Sequence, residues 1–169
     1  MDEQGFDEAE SYWVAKDAAA EKMPREQLEA WLDEFLANHN VCALATGAGD
    51  FVRCTPLEYN YVDGEIWIFS EGGKKFHALR RNANVCIAVF DGFTPGKLKS
   101  VELSGTAEFV EPFSATYNKL LEHKGIKVEA LQKMGLKMPL LHILLAEADI
   151  LDSSFKKSGF GARQHLDFA

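Results

Sequence analysis

Apolar and polar positions change period near residue 41. Before it, Leu28, Trp31, Leu32, Phe35 and Leu36 fall three and four residues apart, on one face of a helix. Pro24 suits the first turn of that helix, and Asn38-His39-Asn40 closes the pattern. Beyond it the runs are short and strand-like. Residues 41–46 are apolar and end at the turn Gly47-Ala48-Gly49-Asp50. Residues 51–62 read as a strand interrupted at Pro56, which cannot donate to a ladder and so marks an edge or a bulge. Asp63-Gly64 is a hairpin signal joining residues 57–62 to the β-formers of 65–70.

Gly72-Gly73 breaks that strand, and residues 74–81 fit a short helix with Phe76 and Leu79 on one side. Residues 85–90 form another apolar run. Val101, Leu103, Gly105, Ala107 and Phe109 then alternate with Glu102, Ser104, Thr106 and Glu108, the pattern of a half-buried strand. Residues 113–123 and 126–134 read as two short helices. Residues 140–151 fit a strand or a helix by period alone, and the chain from Ser153 reads as a loop or a frayed arm.

About six strands follow one another without helical crossovers, which argues against a parallel doubly wound sheet. The expected architecture is mainly β, an antiparallel barrel with helical decoration. One domain over residues 1–169 is expected, with an acidic helical segment at 1–39, a helical insertion at 113–135 and a tail at 153–169.

Charge changes this picture at one end. Residues 1–34 hold 11 acids and 3 bases, a net −8, whereas residues 35–169 balance at 15 and 15. An acidic front repels polyphosphate, so no nucleic-acid partner is expected. A solvated helical face accounts for the acids themselves. The start of the chain has no apolar leader, and no run is long enough to span a bilayer, so a cytoplasmic protein without a membrane partner is expected. Cys42, Cys54 and Cys86 stand apart within apolar runs and read as buried small hydrophobes. The five histidines, His39, His77, His123, His142 and His165, show no metal-motif spacing, so no metal is expected. No G-x-S-x-G, G-x-G-x-x-G or Walker A sequence occurs.

The candidate chemistry lies in two stretches. In Ser70-Glu71-Gly72-Gly73-Lys74-Lys75 a strand ends in a hydroxyl residue, two glycines follow, and a helix opens with lysines. Lysines oppose the dipole at a helix start. Four bases and no acid lie within residues 74–81. A bound phosphate would explain them, and so would a solvated basic helix. In Arg53-Cys54-Thr55-Pro56, alternation puts Arg53 and Thr55 on one strand face. An arginine on such a strand needs a partner, either a ligand phosphate or an internal carboxylate.

Together these stretches resemble the FMN-binding split-barrel superfamily, whose best-known member is pyridoxamine 5′-phosphate oxidase. The shared order is strand, Arg53-x-x-Pro56, hairpin, Phe69-Ser70, lysine-rich helix start, Leu79 and Asn82, then an apolar strand and Ser104-Gly105-Thr106-Ala107. It spans about residues 24–112 and continues more weakly to 151. The resemblance implies a six-stranded antiparallel split β-barrel with an N-terminal helix and short inserted helices, a homodimer with FMN at its interface, and a flavin-dependent oxidoreductase acting on a small molecule. A non-enzymatic flavin or haem binder, or a redox sensor on the same fold, is the other function it allows. Carried over by position, Arg53 and Lys75 would hold the FMN phosphate with Lys74 beside them. Thr55, Pro56 and their strand backbone would face the ring. Phe69 and Ser70 match the aromatic and hydroxyl pair that ends the next strand, and Ser100 would reach the flavin from the second subunit. The sequence departs from the oxidase five residues after Arg53, where Glu58 replaces a substrate-binding lysine. It also has no tryptophan after Trp67 and only a faint echo of the oxidase's C-terminal run, in residues 162–167. True pyridoxamine-phosphate oxidation is therefore not expected.

Overall fold

The structure is a computed structural model and describes residues 2–92, 94–135 and 137–168, apart from the side chains of Trp13 and Met134. Two helices lead, α1 (Glu3–Ala18) and α2 (Arg25–Ala37). Strands β1 (Val41–Ala48), β2 (Phe51–Glu58), β3 (Asn60–Val62) and β4 (Glu65–Phe69) follow, then the short helix α3 (Lys75–Leu79). Next come β5 (Asn84–Phe90), β6 (Lys99–Val110), α4 (Ala115–His123) and α5 (Val128–Met134). The chain ends with β7 (Leu140–Asp152), a 3-10 turn at Ser153–Ser158 and β8 (Arg163–Asp167).

The strands form one antiparallel curled sheet in the order β2-β1-β5-β6-β7-β4-β3, with β8 also paired to β7. This is the half-open barrel expected, with eight strands where about six were read. The two extra strands come from splitting one run and ordering the tail. The interruption in residues 51–62 falls at Tyr59, not Pro56. Pro56 sits within β2 opposite Ala43, and its missing donor is tolerated because β2 is an edge strand. Tyr59 is buried, and its hydroxyl donates to the Leu36 carbonyl at 2.8 Å, tying the strand break to α2. The tail is neither loop nor frayed arm. Residues 163–167 pair with 147–151, and alternation buries Gln164 and Leu166.

The residues 140–151 left open by period form β7, which pairs with β6 along its length and with β4 and then β8 on its other edge. Its start is covered on both faces, with Leu141 and Ile143 in one core and Leu140 in another, so it needs no alternating pattern there. Asp63 and Gly64 both take positive φ, which gives the β3–β4 hairpin its twist-matched turn.

Helix α2 lays Leu28, Leu32, Phe35 and Leu36 on the barrel core of Leu44, Ile66, Ile68, Ile87, Leu103, Ile143 and Ile150. Alternation along β4 sends Trp67 to the other face, where α4 and α5 build a second core of Tyr117, Leu120, Leu121, Leu131 and Leu140. Tyr12 is exposed on α1, and the Trp13 side chain lies outside the described residues. Cys42 is buried and its thiol is pushed up to about 12 by desolvation. Cys54 departs from the expectation of burial. It is exposed because edge strand β2 has no covering layer on its outer side. No helix among the described residues is long and apolar enough to cross a membrane.

Candidate functional site

The β1–β2 ladder and α3 bring the two candidate stretches together. Thr46 stands opposite Arg53 and Leu44 opposite Thr55, so Arg53 and Thr55 share the face that Leu44 turns to the core. Gly72 and Gly73, both at φ above 100°, carry the chain from β4 into α3, a passage an L side chain resists. Helix α3 then packs on β1 and β2. Leu79 enters the barrel core, and the Asn82 amide donates to the Gly47 carbonyl at 2.8 Å. Both family-pattern residues are therefore anchors of α3.

Lys75 is only 4% exposed, and its ammonium donates to the Gly72 carbonyl. Desolvation lowers its pKa from the ordinary lysine value, and the nearby Arg53 guanidinium lowers it further. Among the described residues no ion pair joins Arg53 to an acid, and Arg53 itself is exposed on β2. Ser70 is buried, and its hydroxyl both accepts from the Gly72 amide at 3.1 Å and faces the Gly72 carbonyl at 3.3 Å. Among the described residues, the buried hydroxyls of Thr46 and Thr55 have no hydrogen-bond partner. Thr46 was missed from the sequence because it ends an apolar run and carries no motif. An anion would answer the lysine, the arginine and a free hydroxyl at once.

The other carried-over residues are less concentrated. Lys74 is exposed at the start of α3 and makes no capping hydrogen bond. With five residues, α3 adds little dipole, so the cradle depends on side chains. Pro56 lies on β2 on the face opposite Arg53 and Thr55. Phe69 turns to the second core, edge-on to Tyr117 with ring centroids 5.5 Å apart. Ser100, opposite Phe90 on β6, lines a separate cavity of about 400 Å3 that shares no residue with the cradle. Glu58 is bridged by Lys124 at 3.1 Å, a partner that only the fold brings near.

The sequence profile of the pyridoxamine 5′-phosphate oxidase family matches residues 28–138. The chain belongs to that family. No curated protein matches it. Among solved structures it is similar to an FAD-binding protein from Mesorhizobium loti, at 23% identity and TM-score 0.56 over 70% of this chain and 88% of that one. It is similar to Campylobacter jejuni ChuZ at 19% identity and TM-score 0.66, over 99% and 70% of the two chains. It is similar to HutZ, the haem storage protein of Vibrio cholerae, at 16% identity and TM-score 0.56 over 70% and 89%. At these identities the likenesses show the shared fold.

Proposed function

We propose that this chain binds FMN and works as a flavin-dependent oxidoreductase on a small molecule. The buried Lys75 ammonium carries the reading, because it sits beside Arg53 with a single carbonyl as its acceptor. A dianionic phosphate restores the charge balance that the fold withholds. Arg53 and Lys75 hold the phosphate, Lys74 adds charge at the rim, and Thr55 with the β2 backbone positions the ring. When bound, FMN supplies the electron-transfer chemistry, and the chain binds, orients and shields it. The Glu58–Lys124 pair leaves no free cation at that position for a substrate phosphate, which supports a substrate other than pyridoxamine phosphate.

The site is completed by a second copy of the chain. Supporting this, Arg53 is exposed on an edge strand, and a cleft of about 680 Å3 opens on the sheet next to it, lined by Val52 of the same strand and by small residues such as Ala45, Gly47, Cys86 and Ser104. A two-fold dimer covers such a face and brings Ser100 of the other copy toward the flavin. Light scattering at micromolar concentration is expected to give the dimer mass, and a monomer that retains flavin would contradict it.

Titration with FMN, FAD and riboflavin tests the cofactor. FMN is expected to bind best, and equal affinity for riboflavin removes the phosphate assignment. The likeness to the haem storage protein HutZ favours one second reading, a haem carrier on the same fold. The absorption spectrum of the purified protein separates flavin bands from a Soret band.

A further inference from the structure

The fold leaves the acidic helix α1 almost without cover. None of its described side chains is buried, and Phe6 and Val14 are 63% and 66% exposed. A lone helix of this length is marginal in water and draws its stability from a packed face. Only its root is fastened to the barrel. The Gly161 amide donates to the Glu21 carbonyl at 2.9 Å, the Gln164 side chain accepts from the Met23 amide at 2.9 Å, and Arg163 reaches the Asp17 carboxylate at 3.9 Å. Ahead of that root the helix carries five acids and one lysine. Glu3, Asp7, Glu10 and Asp17 recur four, three and seven residues apart and so share one face, and the same spacing places Phe6 and Val14 among them.

A surface of matching chemistry lies at α3. Lys74, Arg80 and Arg81 are exposed there, and none of the ion pairs among the described residues involves them. Beside them the Phe76 and Phe109 rings stand 5.6 Å apart, with Phe109 exposed. In sheet order β7, β6, β5 and β1 separate β8, where α1 is rooted, from β2, against which α3 packs. The acidic face and the basic surface of one chain therefore stay apart.

We propose that α1 of one copy docks on the α3 surface of a second copy, its acids against Lys74, Arg80 and Arg81 and its Phe6 and Val14 toward the Phe76–Phe109 pair. The inference rests on the dimer reading above. In that dimer Ser100 turns to the other copy's flavin, and Asp17 lines the same cavity as Ser100, so the root of α1 stands beside the other copy's cradle. Two-fold symmetry makes the exchange reciprocal, with one helix for each cradle. A phosphate held by Arg53 and Lys75 leaves the outer bases of α3 without an anion, and the α1 carboxylates supply it. Complementary charge selects the surface, and covering the apolar side chains holds the helix on it.

The test uses full-length chains. Nitrogen-15-labelled and unlabelled protein are mixed, left to exchange subunits and treated with carbodiimide, which joins carboxylates to lysines in contact. Peptides joining α1 acids to Lys74 are expected with one labelled and one unlabelled half. Hydrogen exchange is the second readout. The α1 amides should be protected in the wild type, and Arg80→Glu with Arg81→Glu should cut that protection by about tenfold. Adding Glu3→Lys, Asp7→Lys and Glu10→Lys to that pair should restore it. If melts show that the arginine pair does not fold, the three α1 substitutions alone, which alter no barrel residue, should give the same loss. A monomer by light scattering removes the dimer reading and this proposal with it. A dimer whose α1 exchanges freely, cross-links only within one chain or keeps its protection in the variants overturns the docking alone.

Discussion

The two ends of this sheet carry opposite imbalances. Where β1, β2 and α3 meet, two cations adjoin with a backbone carbonyl as the lysine's acceptor. At the β7–β8 corner, four carboxylates surround one imidazole. The cradle is formed by a glycine turn and buries Lys75, whereas the corner is formed by strand register and stays largely in solvent. At the cradle the missing negative charge points to an anionic ligand, whereas at the corner the bonds to Asp149 and Asp167 raise the His165 pKa, so the ring itself takes up the positive charge. Burial sets the magnitude, because a desolvated charge has more to gain from a partner than a hydrated one.

The largest effect is expected where the strands serving both ends are joined. The β6–β7 register shifts between Ser104 and Gly105, and a Cβ on Gly105 would lie 2.1 Å from the Leu144 carbonyl oxygen. Gly105→Ala should lower unfolding stability by at least about 2 kcal/mol, read from urea melts. An unchanged midpoint would mean that this bulge does not hold the two ends in register.

Removing a cation from the cradle comes next. Arg53→Ala and Lys75→Ala should each weaken FMN binding by about 1.5–3 kcal/mol, roughly ten- to hundredfold. Riboflavin affinity should be unaffected. Unchanged FMN binding in both would remove the cradle from the comparison.

Lys75→Met sharpens it. The ligand-free protein should melt no lower than the wild type, because a buried charge is exchanged for an apolar chain of similar length. FMN affinity should still fall. Loss of both would show that Lys75 serves the fold instead.

The same residue predicts a pH dependence. Its pKa in the free protein lies below 10.5, and a bound phosphate raises it. FMN affinity should therefore hold steady below the free-protein pKa and fall as pH rises from there toward that of the complex. Titrations from neutral to alkaline pH measure this, and the fall should vanish in Lys75→Met.

The smallest effect is expected at Glu58. It alternates away from Arg53 and Thr55, and its bridge to Lys124 is solvent-exposed on the glutamate side. Glu58→Lys should leave FMN affinity within about threefold, under ~0.7 kcal/mol, and should not confer pyridoxamine-phosphate oxidase activity. A larger change would place Glu58 within the cradle's field.

Local pattern was sufficient for α2, for the Asp63-Gly64 hairpin and for β6, because each is governed by a period or a turn within a few residues. The family-like order of Arg53, Phe69-Ser70, Lys75, Leu79 and Asn82 was likewise written in the chain, and with it the candidate cofactor. Tertiary structure decided the rest. Strand β7 exists as a strand because β6, β4 and β8 enclose it, and β8 exists because β7 offers it an edge. Thr46 became a candidate only when pairing set it opposite Arg53, and Phe69 left the cradle only when α4 gave its ring Tyr117 to pack on. Burial and partnership are properties of residues distant in sequence, and that Lys75 meets only a carbonyl while His165 meets two carboxylates depends on what the fold places around each.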